Sequence, residues 1–297
     1  MLAPHISQEV LKGCYCWEDA QADDARMVLR LILETIADGG VALNYAEAAE
    51  LLIDGSGEVT GVMVRDRETE KVVEVRARAV INAAGAWSDE LRRQVGGRPV
   101  IRPLRGSHLI FPGWRLPVAQ AVSFTHPDDN RPVYVFPWEG ITLVGTTDLD
   151  HSANLNDEPA ITPQEKEYLL NAVKAQFPAF NLRESDVIST FAGVRPVAGT
   201  GKKDPSKESR EMFLLKESGL VTITGGKLTT FRLLALEALK AVAPKLSLDV
   251  RALTERRVYK SSSAALPGVR NPGLARRLAG RYGNLAPSLV DESVSDE

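Results

Sequence analysis

Between Leu104 and Val144 four apolar runs follow one another with only turns between them: Leu104 to Phe111, Ala121 to Phe124, Val133 to Phe136 and Ile141 to Val144. Pro, Gly and Asp separate them. Strands that succeed one another without an intervening helix pair antiparallel, so a βαβ alternation is excluded across this stretch. After a helix that Thr162-Pro163 opens with a cap and a first-turn proline, running to about Gln176, strand patterns resume at Val187 to Val194, Met212 to Lys216 and Leu220 to Thr224. Residues 104–224 are therefore expected to form a mostly antiparallel sheet.

The flanking segments read differently. Asp23 or Asp24 can cap a helix whose Met27, Val28, Leu31, Ile32 and Ile36 fall on one face, and Gly39-Gly40 ends it. Val41 to Ala46 reads as a strand. Leu51 to Ile53 and Val59 to Val64 flank Asp54-Gly55-Ser56-Gly57 as a hairpin, and Lys71 to Val75 alternates as a third strand. Ala79 to Ala83 suits a short buried strand ending at Gly85, with a helix start at Ser88-Asp89. Thr229 to about Ala243 reads as a helix entered directly from Gly225-Gly226-Lys227. Arg270 to Arg281 can form one more, and Ser288 to Glu297 reads as a polar tail. The fold class is α+β.

Composition bounds the partners. With 297 residues, 44% hydrophobic and 25% charged, the chain can bury a sizeable core. A net charge of −3 gives no bulk electrostatic grip on nucleic acid or anionic lipid, so no nucleic-acid partner is expected. Any anion must be held by a local cluster of Arg, Lys and backbone N–H groups. Cys14 and Cys16 are spaced neither as a CxxC redox pair nor as half of a usual zinc site, and no metal centre is expected. Pro4, His5, Ser7, Gln8 and Glu9 interrupt any apolar signal-peptide core. No apolar run reaches the roughly 18 residues of a membrane span.

Several motifs can carry chemistry. The glycines of Gly55-Ser56-Gly57 precede a strand, whereas a phosphate loop follows a strand and opens a helix, so they belong to the hairpin. Ile81-Asn82-Ala83-Ala84-Gly85-Ala86-Trp87 ends a strand in small residues, which lets a backbone approach a ligand closely or simply packs tightly. Arg105-Gly106-Ser107-His108 places a histidine beside a glycine and an arginine. Gly145-Thr146-Thr147-Asp148 is either a polar Asx-type turn or a ligand-facing one. In Gly193-Val194-Arg195-Pro196, Arg195 is either presented to an anion or paired with a core carboxylate. Thr224 to Arg232 runs from a strand through two glycines into a helix, delivering N–H donors, hydroxyls and the Lys227 cation to one point.

Together these segments resemble the FAD-dependent glycerol-3-phosphate dehydrogenases, within the glycine-oxidase-like flavoenzymes. The matching stretches are Trp17 to Arg26, I-N-A-A-G-A-W at 81–87, R-G-S-H at 105–108, F-P-W at 136–138, G-T-T-D at 145–148, G-V-R-P at 193–196 and G-G-K-L-T-T-F-R at 225–232, in the family's order. The resemblance implies FAD as cofactor. It also implies oxidation of glycerol 3-phosphate to dihydroxyacetone phosphate, with electrons passed to quinone. His108 and Arg195 are then the expected catalytic residues, with His108 the base. Arg195, Lys227 and Arg232 are expected on the substrate, whose phosphate needs charge-assisted donors. Ala84, Gly85, Gly226, Lys227, Leu228 and Thr229 are expected on the cofactor.

The resemblance further implies a division into a partial FAD-binding domain at 1–100, a substrate domain at 101–224, a return to the FAD-binding domain at 225–245 and the start of a helical domain at 246–297. It implies a cytoplasmic protein, with a peripheral contact on the inner face of the cytoplasmic membrane left open. Two alternatives stand beside it: an amine- or amino-acid-oxidising flavoenzyme, whose carboxylate substrate would need one arginine, and a non-catalytic fragment. The family's strand–G-x-G-x-x-G–helix unit has no counterpart in these residues, so the chain is expected to be cut short at both ends and inactive alone. The purified chain should accordingly be colourless, and flavin absorbance that survives gel filtration would overturn that expectation.

Overall fold

A computed structural model describes residues 3, 5–9, 11–255, 257–260 and 266–294. In chain order the elements are α1 (Asp24–Ala37), β1 (Ala46–Ile53), β2 (Val59–Asp66), β3 (Val72–Arg76), β4 (Val80–Asn82), α2 (Ser88–Arg93), β5 (Ile101–Pro112), β6 (Val122–Thr125), β7 (Pro132–Trp138), β8 (Ile141–Gly145) and β9 (Leu149–Asp150). Then follow α3 (Pro163–Gln176), β10 (Ser189–Ala198), β11 (Met212–Glu217), β12 (Leu220–Gly225), α4 (Phe231–Leu246), α5 (Arg251–Thr254), α6 (Pro272–Tyr282) and α7 (Ala286–Val294). The chain divides into two compact units. The first comprises residues up to Cys16, Glu50–Thr60 and Ala79–Lys227; the second comprises Trp17–Ala49, Gly61–Arg78 and the residues from Leu228 onward.

The first unit is built on the antiparallel sheet expected from the consecutive strands, in the order β10-β5-β8-β7-β6, with β9 also paired to β5. Side chains alternate between its faces. Leu109, Phe111, Val133, Val135 and Val144 point one way and form a single core with Leu169, Leu170 and Val173 of α3. That helix starts where the sequence places it. Thr162 accepts from the Glu165 N–H, the Glu165 carboxylate accepts from the Thr162 N–H, and Pro163 fills the first position.

β11 and β12 depart from the expectation of one sheet over 104–224. They form a separate sheet in the order β11-β12-β4, in which β12 runs parallel to β4 with Leu220, Val221 and Thr222 opposite Val80, Ile81 and Asn82. The five residues Leu220 to Thr224 are buried on both faces, the environment of a parallel interior strand. The hairpin over 51–64 forms as read, with Asp54 Oδ1 accepting from the Ser56 and Glu58 N–H groups.

The second unit holds α1, capped by Asp23, whose side chain accepts from the Arg26 N–H. Its apolar residues Val28, Leu29, Ile32, Leu33 and Ile36 are all exposed. Two expectations fail here. Val41 to Ala46 is not a strand: Tyr45 has φ 53°, which interrupts an extended chain, and β1 begins only at Ala46. The polar tail from Ser288 is helical through Val294, within α7, while residues 295–297 lie outside the described residues. α4 is entered through a 3-10 turn at Leu228–Thr230.

One buried charge supports the first unit. Glu165 is 2% exposed. Burial alone would push its carboxyl up, but hydrogen bonds from Thr147, Thr162, Arg105 and Ser107 hold it down to about 2, below the ordinary 4.5. A folded-state value below the unfolded one adds stability at pH above about 4.5 that is lost as the pH falls through about 2. Urea unfolding across that interval should show a steeper loss for the unaltered chain than for Glu165→Gln. Equal slopes would contradict the assignment.

Candidate active site

The face of the large sheet turned away from α3 carries the candidate residues. His108 on β5 lies opposite Phe191 on β10 and Gly145 on β8, and Tyr134 on β7 lies opposite the same Gly145. Cross-strand partners share a face, so these four positions form one row. The His108 imidazole stacks on the Phe191 ring with centroids 4.6 Å apart and 4° between planes. A Cβ on Gly145 would collide with the imidazole, Nε2 included, so only glycine leaves the ring room to lie there.

Arg195 repeats the device one step along. Gly106 and Gly193 face each other across β5 and β10, and a Cβ on Gly106 would occupy the Arg195 guanidinium position. Arg195 Nη2 donates to Thr146 Oγ1 at 3.0 Å, and Nη1 donates to the Thr147 carbonyl at 3.3 Å and to Asp148 Oδ1 at 3.4 Å. The Asp148 side chain is fully buried, and its Oδ2 also takes an ion pair from Arg210 and lies 3.6 Å from Arg131. Asp148 is therefore the anion of a three-arginine cluster. Of the two readings of Arg195, pairing with a buried carboxylate is observed; the guanidinium is one of three around Asp148. Burial, and then the Arg195 charge, push the His108 imidazole down to about 4, so it is neutral at pH 7. Its Nδ1 is buried without a hydrogen-bond partner among the described residues.

The opposite face is held by Glu165. Its Oε1 accepts from Ser107 Oγ at 2.8 Å and from Thr147 Oγ1 at 2.7 Å. Its Oε2 accepts from the Thr162 N–H and hydroxyl, each at 2.9 Å, and from Arg105 Nη2 at 2.8 Å. Thr147 Oγ1 in turn accepts from the Ser107 N–H at 2.9 Å.

A second cluster lies where the parallel strands β4 and β12 end. Asn82 Nδ2 donates to the Ser88 carbonyl at 2.9 Å and to Thr222 Oγ1 at 3.2 Å, and Asn82 Oδ1 accepts from the Ala84 N–H at 3.2 Å. Ser88 Oγ and Thr224 Oγ1 are buried there with no partner among the described residues. Gly85, Gly225 and Gly226 have φ of 57°, 76° and 73°, and a Cβ on Gly85 would meet nothing within 4 Å. The carboxyl ends of parallel strands are where such sheets bind ligands. Orphaned hydroxyls and left-handed glycines at these strand ends, with open space at Gly85, are the donor set and clearance that a polar, flat cofactor requires. Ala84, Gly85, Gly226 and the exposed Lys227 sit at this edge. β10 borders both β12 and the turn at Gly85–Trp87, so this edge adjoins the strand that carries Arg195.

The expected residues thus fall into two neighbouring groups of the first unit, His108 with Arg195 and Ala84–Gly85 with Gly226–Lys227. Leu228 and Thr229 begin the second unit, and Arg232 there donates to the Thr254 carbonyl. Sequence reasoning did not mark Glu165, Arg131 or Arg210. The spacing of Thr162 and Glu165, that of a capping box, was a signal for the first; nothing in the sequence singled out the two arginines.

Comparison with known proteins places this chain in a family. The family model described as FAD dependent oxidoreductase (DAO) matches residues 1–232. The aerobic glycerol-3-phosphate dehydrogenase of Staphylococcus haemolyticus is 31% identical over 316 residues, covering 97% of this chain and 56% of that protein. Its counterpart in Staphylococcus aureus (strain USA300) is 34% identical over 249 residues, covering 83% and 44%. The chain therefore spans about half the length of the curated relatives it matches. Among solved structures, the glycerol-3-phosphate dehydrogenase from Bacillus halodurans complexed with FAD is 30% identical, with a TM-score of 0.77 over 93% of this chain and 57% of that one. Glycine oxidase from Bacillus cereus, 19% identical with a TM-score of 0.50 over 72% of this chain and 54% of that one, shares the fold alone. The chain belongs to the family of FAD dependent oxidoreductases.

Proposed function

We propose that this chain serves the FAD-dependent oxidation of glycerol 3-phosphate to dihydroxyacetone phosphate. The observation that carries the proposal is the shared sheet face on which a neutral histidine stands beside an arginine cluster with excess positive charge. A phosphate dianion is matched by several guanidiniums, whereas the carboxylate of an amine substrate needs only one. The relatives named as glycerol-3-phosphate dehydrogenases support the same choice.

In this reading Ala84, Gly85, Gly226 and Lys227 hold the cofactor, with Leu228 and Thr229 following in the chain. FAD, when bound, supplies the acceptor for the hydride that leaves C2 of the substrate. Arg195 and Lys227 bind the phosphate, with Arg210 and Arg131 adding to the field around Asp148. As C2 becomes a carbonyl, the hydroxyl proton passes to His108 Nε2, the ring nitrogen over Gly145. Phe191 holds the ring flat while this occurs. The onward passage of electrons to quinone and a peripheral membrane contact are further parts of the proposal. No helix among the described residues is long and apolar enough to cross a membrane.

In flavin-loaded protein, Arg195→Ala should weaken glycerol 3-phosphate binding by about 1.5–3 kcal/mol, the worth of a charged hydrogen bond, as read by calorimetry. His108→Ala should lower kcat by about 10²–10⁴-fold, as expected for loss of a general base. Because His108 acts in its neutral form, kcat/KM should stay level below neutrality and fall only as the pH drops through about 4. An undiminished kcat in His108→Ala, or substrate binding indifferent to Arg195, would remove the site from consideration.

A further inference from the structure

We propose that Glu165 is the positioning residue of this site, its carboxylate locking together, from the α3 side of the sheet, the two chain segments that carry His108 and the acceptors of Arg195. The importance of what it positions rests on the functional reading above; the locking itself rests on geometry. Ser107 directly precedes His108 on β5 and points to the opposite face, so whatever holds the Ser107 side chain sets where the imidazole stands. Thr147 lies between Thr146 and Asp148, and Arg195 donates to Thr146 Oγ1, to the Thr147 carbonyl and to Asp148 Oδ1. Glu165 Oε1 accepts from the hydroxyls of both Ser107 and Thr147, at 2.8 and 2.7 Å. Those two residues also join each other directly, Ser107 N–H to Thr147 Oγ1 at 2.9 Å.

The other carboxylate oxygen has a different task. Oε2 takes the α3 cap at Thr162 and the Arg105 guanidinium. One side chain thus divides into a fold-holding oxygen and a site-holding oxygen, and Glu165→Gln separates them. An amide has one acceptor oxygen, and the Thr162 N–H and Arg105 can only donate, so the oxygen stays with them. The amide NH₂ then faces the Ser107 and Thr147 hydroxyls. Each hydroxyl has a lone pair to accept one of its two hydrogens, so the contacts reverse direction and lose the charge that strengthened them, while Arg105 Nε, 3.4 Å from Oε1, is left facing a donor. The variant keeps the helix cap and loosens the clamp, because neutral bonds of reversed direction replace charge-assisted ones.

The test is the imidazole titration of His108 in the 297-residue chain, followed by NMR; the sequence has only four histidines, and His108→Gln assigns the signal. His108 faces Phe191, Gly145 and the Arg195 charge, with Asp148, Arg210 and Arg131 clustered around Arg195 and the Glu165 charge on the other side of the sheet. Deleting the Glu165 charge without moving anything would lower the His108 midpoint, because a nearby anion favours imidazolium. Loss of positioning does the opposite, since Arg195 loosens and water enters. In Glu165→Gln the midpoint should rise from about 4 toward 6.5, and glycerol 3-phosphate should bind about tenfold more weakly by calorimetry. Val173→Ala, which thins the core face of the same helix, should lower the unfolding temperature and leave the midpoint in place. If Glu165→Gln does not fold, Ser107→Ala, which removes one donor of the clamp, decides by the same rise. An unchanged or lowered midpoint in the folded variant overturns the proposal. A chain that does not bind glycerol 3-phosphate at all sinks the functional reading instead, and the titration still decides the role of Glu165.

Discussion

A carboxylate can be taken out of water only where hydrogen-bond donors replace the solvent it loses, and this chain meets that condition on each face of one strand pair. Behind the sheet, hydroxyls, a backbone N–H and a guanidinium surround Glu165. In front, Asp148 is enclosed by guanidiniums from three separate stretches of chain. The strands, the turn at 145–148 and α3 have few relative positions in which every one of these donors reaches its acceptor. The site therefore inherits its geometry from the requirement that two buried charges be satisfied.

The same arrangement sets the chemistry. Three guanidiniums against one carboxylate leave the open sheet face positive, suited to an anion. That charge, added to burial, keeps His108 neutral, the form in which an imidazole can accept a proton. Side chains this large fit against a sheet only because glycines lie beneath them. Gly145 under His108 and Gly106 under Arg195 replace ordinary cross-strand neighbours with clearance. The cost of glycine inside a strand is offset by contacts that hold the two rigid groups in place.

The smaller sheet contributes an edge rather than a face. β12 is buried on both sides beside the parallel β4; β12 ends at the left-handed Gly225, the turn after β4 carries the left-handed Gly85, and the Ser88 and Thr224 hydroxyls have no partner among the described residues. An anion or a flat ring system can approach such an edge closely because no Cβ intervenes. β10 borders this edge, so a cofactor held there would lie next to the strand that carries Arg195.

Local signals already carried much of this. The succession of apolar runs from Leu104 to Val144 with only turns between them determined an antiparallel sheet, Thr162-Pro163 determined the start of α3, and Asp54 to Gly57 determined a hairpin. Each of these depends on side-chain period or backbone preference within a few residues. The motifs around His108, Arg195, Gly85 and Gly226 were visible for the same reason: glycines and prolines advertise special backbone needs. Tertiary structure alone decided the rest. It withdrew β11 and β12 from the large sheet, because pairing with β4 joins residues 140 apart in the chain. It left Val41 to Tyr45 without strand structure, since a strand exists only where another strand pairs with it. It also gathered Arg131, Arg195 and Arg210 around Asp148, and Ser107 and Thr147 around Glu165. A charge's partner is chosen by which donors the fold brings within about 3 Å of it, and no periodicity along the chain encodes that distance.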